Sequence, residues 1–217
     1  MSAPGAVPPV SAIADVLALW GHDGWLTPPL HPVVPANAPV IARVRTITMQ
    51  FASSGAGLAP IYDLISNDLD GCALLVAGAH TIASAVWGEI LATSAQRNGA
   101  AAVLVDGSVR DRPAMAALGL PIYAAAECVV GPNGLAHVTA LDHHVKIGHV
   151  EVATDDIVVV DDTGCVRVRA DQREAVLEAA RKYAAAEEAV LAAMRGGEQL
   201  ASAYQYKKSV VEELRGA

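Results

Sequence analysis

"WGEILATSAQRNGAAAVLVDGSVRD", Trp87 to Asp111, is the stretch on which the fold turns. Its first half reads as a helix over 87–99, which Asn98-Gly99 can stop in a left-handed turn. Its second half, Ala100 to Asp106, is a short unbroken apolar run ended by an acid and a glycine, the pattern of a buried strand. Asp106 is then expected to serve the turn before Gly107. An apolar strand precedes the helix, "GCALLVAG" (71–78). A short helix with Pro113 in its first turn (112–119) and a further strand, "LPIYAAA" (120–126), follow. Strand, helix, strand, helix, strand over 71–126 implies βαβ crossovers and a parallel sheet.

Toward the N-terminus, "GLAPIYDLISND" (57–68) reads as a short helix and the β-branched alternation of "VIARVRTITM" (40–49) as a strand. Residues 22–40 hold five prolines and read as loop. "VSAIADVLALWG" (10–21) is an amphipathic helix that Ser11 can cap. Residues 1–9, rich in Pro and Ala, form a loose arm. After residue 130 the chain turns β-rich, with "DDTG" (161–164) as a hairpin turn and Asp161 and Asp162 solvated on it. A long helix follows from Asp171, with Asp171 and Glu174 at capping-box spacing and Gly196-Gly197 as its stop. Val176, Ala180, Tyr183, Val190, Leu191 and Met194 form its apolar stripe. The expected organisation is one α/β domain over 1–170 and a helical extension over 171–217 that packs on it or on a neighbouring subunit.

Composition narrows the function classes. The 217 residues are 53% hydrophobic and 18% charged, enough to bury a sizeable core, and Phe occurs once, so Ala, Val, Leu and Ile must build it. The formal charge of −8 argues against a nonspecific nucleic-acid binder. Cys72, Cys128 and Cys165 are far apart and include no CxxC pair, so they read as thiols in a reducing cytoplasm. The N-terminus lacks the basic and apolar regions of a signal peptide. No apolar run reaches ~18 residues unbroken, so no membrane span is expected.

The helix and strand of the opening stretch also set up a site. A helix of about twelve residues covers roughly 18 Å and a strand of about six roughly 20 Å, so the outward and return paths nearly cancel. Gly88-Glu89 should therefore come close to Arg110-Asp111, at the edge where open parallel sheets bind ligands. The helix start offers unpaired amides from Gly88 to Leu91 for a carboxylate or phosphate, and Gly88 lets the ligand approach the backbone. Arg110 can hold an anionic oxygen with two hydrogen bonds. Asp111 and Glu89 are hard oxygen ligands suited to Mg²⁺ or Mn²⁺. Together they suit a metal-assisted reaction on a small oxo acid. The same residues are also compatible with a surface turn held by a local ion pair.

This block resembles the family of 4-hydroxy-4-methyl-2-oxoglutarate aldolases and regulator of ribonuclease activity A, whose pattern runs GExLA, a strand, then DGxVRD. "VSAIADVL", "ARVRTITM", "PIYAAA" and "VATDDIVVVDDTGCVRV" are similar to its flanking segments, in order over residues 10–170. The family's PGD turn reads "VATDD" here, and His80 lies near where members often place a second acid. The resemblance implies a swivelling β/β/α fold, layered sheets with flanking helices, assembled as a homotrimer or a dimer of trimers. It implies a divalent-metal (Mg²⁺ or Mn²⁺) lyase without a Schiff base, which cleaves a 4-hydroxy-2-oxo acid through a metal-stabilised pyruvate enolate and decarboxylates oxaloacetate by the same route. By position, the amides of Gly88, Glu89, Ile90 and Leu91 would receive the substrate carboxylate, Arg110 would bind substrate oxygen, Asp111 would coordinate the metal, and Glu89 would help move a proton. The competing readings are a non-catalytic regulator of ribonuclease activity that binds a protein partner, and a divergent member with altered chemistry. No glycine-rich cofactor loop supports a methyltransferase.

Outside this block, His137, Asp142, His143, His144 and His149 could form a second metal or substrate-facing cluster. If the segment is a strand, however, His143 and His144 face opposite sides. His80 and Trp87 read first as packing residues, with His80 able to donate a proton near neutral pH.

Overall fold

The computed structural model describes residues 6–26 and 29–216. The chain divides into two units, Trp25–Ala170 and the helices contributed by Met1–Gly24 and Asp171–Ala217.

In Trp25–Ala170 the strands are β1 (His31–Val34), β2 (Val40–Phe51), β3 (Ala73–Ala77), β4 (Ala85–Trp87), β5 (Ala102–Val109), β6 (Ile122–Glu127), β7 (Ala136–Leu141), β8 (Val145–Ile147), β9 (Val150–Val152), β10 (Ile157–Asp161) and β11 (Gly164–Val168). One mixed sheet runs in the order β1-β6-β5-β3-β2-β10-β11, with β4 also paired to β5 and β7 to β2. As the sequence predicts, β3, β5 and β6 are parallel neighbours. Trp25 bridges to Val166 of β11 at one sheet edge, and β1 pairs β6 at the other, so the sheet is nearly closed. The strand β1 lies inside the proline-rich stretch expected to be loop. It is a four-residue edge strand, a position where a proline's missing N–H is tolerated.

Side-chain alternation along the strands separates two cores. Leu74, Val76, Val103 and Val105 join Ile61 and Ile65 of α2 (Ala59–Ile65), Leu91 and Ala95 of α3 (Glu89–Arg97) and Met115 of α4 (Arg112–Ala116). Ala73, Leu75, Ala102 and Leu104 face the other way, toward Val145, Ile147, Val150 and Val152 of the β8–β9 hairpin. Helices, sheet and hairpin thus make the β/β/α layering. Asp156 ties its rim, accepting hydrogen bonds from Ala153 N at 3.0 Å and Ala170 N at 3.1 Å.

The other unit is all helix. It comprises α1 (Val10–Leu19), α5 (Arg173–Arg195), α6 (Leu200–Ala203) and α7 (Gln205–Arg215), with α1 and α7 both against α5. The Tyr183 hydroxyl donates to Asp15 at 2.8 Å, Trp20 Nε1 donates to Leu214 O at 2.8 Å, and Lys207 Nζ lies 2.7 Å from Glu187. Burial works against the Lys207 charge, but the hydrogen bonds to Glu187 and Tyr183 outweigh it and raise its pKa. Two helix starts differ from those expected. α1 starts at Val10 after Pro9, with Ser11 inside the helix, and α5 starts after Gln172, with Asp171 in a preceding 3-10 turn. Of the expected stripe on α5, Val176, Ala180, Tyr183 and Val190 are buried, whereas Leu191 and Met194 are exposed. The expected arm at 1–9 falls largely outside the described residues. No helix among the described residues is long and apolar enough to cross a membrane.

Candidate active site

The two halves of the opening stretch meet, by a route the sequence does not reveal. After β3 the chain makes an excursion from Gly78 to Ser84, then returns to the same edge of β5 as β4, pairing Ala85 with Ser108 and Trp87 with Val109. β5 therefore continues through Asp106 and Gly107 to Val109, and no turn exists at Asp106. Gly107 is required here because a Cβ would lie 2.8 Å from the backbone of Ala79. Asp106 is buried beneath the excursion. Its carboxylate accepts a hydrogen bond from Gly78 N at 3.2 Å and lies 2.7 Å from His80 Nδ1, while the His80 side chain is exposed.

Pairing with β4 sets the start of α3 beside the end of β5. Arg110 N donates to Trp87 O at 3.0 Å, and Glu89 N points at Asp111 Oδ2 at 3.4 Å across 22 residues of sequence. Gly88 is buried, and a Cβ on it would lie 2.7 Å from Asp111 Oδ2 and 3.0 Å from Arg110 Cγ. Asp111 itself holds a left-handed backbone (φ 62°, ψ 32°) just before α4. Such a conformation costs a non-glycine residue on the order of 1 kcal/mol and is often retained where a side chain must be aimed. Arg110 Nε is 3.5 Å from Asp111 Oδ2, and both side chains remain partly open to solvent, at 43% and 41%. The segment after β6 closes the far side. Ala85 N donates to Val130 O at 2.8 Å, and the Arg110 guanidinium lies against Gly131.

Gly88, Ile90, Leu91, Arg110 and Asp111 line one cleft of about 230 Å³. The Glu89 side chain is exposed and does not line it; what Glu89 contributes to the cleft is its amide. The cleft wall includes Trp87, which is buried with its Nε1 unpartnered among the described residues. The position of Trp87 follows from β4, a three-residue strand too short to have a sequence signal of its own.

The histidine-rich segment does not converge. Among the described residues, no three His, Cys, Asp or Glu side chains gather as a metal site. His137 is buried and structural: its Nδ1 accepts from Gly57 N at 2.8 Å and its Nε2 donates to Gly134 O at 2.9 Å. Asp142 pairs with Arg45, and His149 makes an edge contact with Trp25. Asp161, expected to be solvated, is buried and accepts from Thr163 N at 2.9 Å.

Comparison with known proteins agrees with this architecture. The family model described as RraA-like, aldolase/RraA, matches residues 10–167. A protein of Halalkalibacterium halodurans named "Putative 4-hydroxy-4-methyl-2-oxoglutarate aldolase" is 26% identical over 185 residues, covering 83% of this chain and 82% of the relative. Among solved structures, an uncharacterized protein from Pseudomonas syringae pv. tomato superposes with a TM-score of 0.78 at 21% identity, over 90% of this chain and 92% of the other. Streptomyces coelicolor RraAS2, described as an unusual member of the RNase ES inhibitor RraA protein family, superposes with a TM-score of 0.71 at 23% identity, over 82% and 89%. The fold and the matched residues define an α/β protein with a carboxyl-edge cleft. The chain belongs to the RraA-like family, which includes proteins named as aldolases and as ribonuclease regulators.

Proposed function

We propose that this chain is a divalent-metal-dependent lyase that cleaves a 4-hydroxy-2-oxo acid to pyruvate and a second carbonyl compound, and that it also decarboxylates oxaloacetate. The observation supporting this is the convergence of the α3 start, Arg110 and Asp111 on one cleft. In this reading the substrate carboxylate lies against the amides of Gly88, Glu89, Ile90 and Leu91, where the helix terminus favours an anion. Arg110 holds the oxygen on which negative charge grows as the carbon–carbon bond breaks. Asp111 would hold Mg²⁺ or Mn²⁺. Such a hard cation takes oxygen donors and keeps several waters, so a single half-exposed carboxylate beside an oxo acid fits it. When bound, it supplies Lewis acidity toward the substrate oxygens. The Glu89 side chain, exposed on the first residue of α3 and outside the cleft wall, would move a proton through an intervening water.

The C4 hydroxyl gives up its proton, the C3–C4 bond breaks with its electron pair kept on C3, and C4 becomes the new carbonyl. A proton delivered to C3 completes pyruvate. With oxaloacetate the bond that breaks is the one to the departing carboxylate, which leaves as CO₂. The test is pyruvate release from both substrates with Mg²⁺ and with EDTA. Turnover that needs the metal and collapses in Arg110→Ala and Asp111→Ala is expected. Full activity of Asp111→Ala would overturn the proposal.

A further inference from the structure

We infer, on the lyase reading of the cleft, that His80 and Asp106 are a positioning pair. Their hydrogen bond closes the excursion between β3 and β4, and so holds the start of α3 where it receives the substrate carboxylate. Neither side chain lines the cleft, so the pair acts through the backbone. Val76 pairs with Val105 and Ala85 with Ser108, so a long run on one side lies opposite a short run of β5. The surplus loops out at Gly78 and must return in one register. β4 alone is a weak guide to that register. It is three residues long, and its pairing with β5 is irregular between Ala85 and Trp87. A slip of one residue would turn Trp87 to the other face and carry the Gly88 amide with it.

Asp106 supplies the anchor. It lies on β5, the strand that leads into Arg110 and Asp111, so one strand ties down both halves of the cleft. Its side chain is 3% exposed, and a single oxygen, Oδ2, receives Gly78 N at 3.2 Å and His80 Nδ1 at 2.7 Å. A carboxylate has no proton to donate, so Nδ1 carries the hydrogen. The other contacts of the excursion are apolar or local. Ala79 sits on Gly107, Ile82 is buried, and Thr81 N and Oγ1 both donate to Gly78 O. Among the described residues, Asp106 is the one β5 side chain that hydrogen-bonds the excursion. A hydrogen bond to a charged group favours the bonded state about ten- to a hundredfold. These contacts lie within one chain and stand whatever a neighbouring subunit adds to the cleft. Asp111 is held differently: its left-handed backbone continues from β5 and opens α4 without the excursion. Loosening the pair therefore displaces the amides and spares the metal ligand.

The experiment uses the full chain and reads two affinities, Mn²⁺ by electron paramagnetic resonance and oxalate by calorimetry at saturating Mn²⁺. Oxalate is the probe because it carries the paired oxygens of a pyruvate enolate. The His80 side chain is 59% exposed, so His80→Ala should fold. It should weaken oxalate about tenfold while Mn²⁺ affinity stays within about threefold. His80→Asn, whose amide N–H can take the place of Nδ1–H, should recover most of the oxalate affinity. Oxalate binding unchanged in His80→Ala overturns the assignment. So does a parallel loss of Mn²⁺ and oxalate, which marks general damage, or a His80→Asn no better than His80→Ala. The expected pattern in a chain that releases no pyruvate from any oxo acid overturns the lyase reading and leaves the pair's role standing. An unaltered chain that binds neither Mn²⁺ nor oxalate overturns both.

Discussion

Replacing Gly88 with alanine probes the cleft with one methyl group. The backbone there is extended (φ −167°, ψ −169°), so alanine is accepted without conformational strain. The new Cβ, however, would lie 2.7 Å from Asp111 Oδ2 and 3.0 Å from Arg110 Cγ. Non-bonded carbon atoms settle near 3.5–4.0 Å apart, so these two side chains must retreat by roughly 1 Å. Both are half-exposed and can move, which keeps the stability cost near 1 kcal/mol and the Tm drop within about 2–4 °C. A misplacement of about 1 Å at reacting groups costs on the order of a hundredfold in rate. Gly88→Ala should therefore fold almost normally and lose about two orders of magnitude in pyruvate formation, read by coupling to lactate dehydrogenase beside a thermal melt of the same sample. Retention of activity within about threefold, or a loss explained by a Tm drop beyond about 10 °C, would refute the reasoning.

Asp155 occupies a left-handed position (φ 77°), and its 3.1 Å pair with Arg43 is exposed. Asp155→Gly should raise the urea midpoint by the equivalent of about 0.5 kcal/mol, whereas a lower midpoint would count against strain at this turn. His137→Ala empties a buried position and leaves the half-buried Gly57 amide without its acceptor, and should cost about 1–3 kcal/mol in urea unfolding while leaving metal-dependent turnover intact. Burial pushes the Cys165 thiol up to about 12, and the Tyr123 phenol likewise up to about 12. Both values lie above the unfolded ones of about 8.5 and 10, so the stability they contribute is whole below those values and lost as pH rises toward about 12. The urea midpoint should accordingly fall on the alkaline side, and a midpoint that climbs there would contradict the sign. In the native protein at neutral pH, Cys128 should react with a thiol reagent, and Cys72 and Cys165 only after denaturation.

Much of this was legible from short-range pattern. α3 closes at Asn98-Gly99, β3, β5 and β6 are parallel neighbours, and the start of α3 meets the end of β5. What the sequence hid depends on packing between distant segments. Asp106-Gly107 has the composition of a turn. It stays extended because Ala79 lies over Gly107 and the buried Asp106 carboxylate binds Gly78 N and His80. The short β4 is a strand only because β5 offers it an edge, and β1 only because β6 does. The histidines of 137–149 look clustered in sequence, yet His137 is spent on Gly57 and Gly134. The excursion after β3 also shows that the helix-and-strand length match was an incomplete reason for a correct juxtaposition. The direct cause is the pairing of Trp87 with Val109.

In the proposed lyase, Asp111, aimed by its left-handed backbone beside the start of α3, would hold the cation on which turnover depends. The most direct measurement is Mn²⁺ binding to the purified chain by electron paramagnetic resonance, in parallel with pyruvate release from oxaloacetate, for the unaltered protein and Asp111→Asn. The expected result is one bound Mn²⁺ per chain that Asp111→Asn abolishes together with turnover. Mn²⁺ bound equally by both proteins, or turnover undiminished in EDTA, would contradict it.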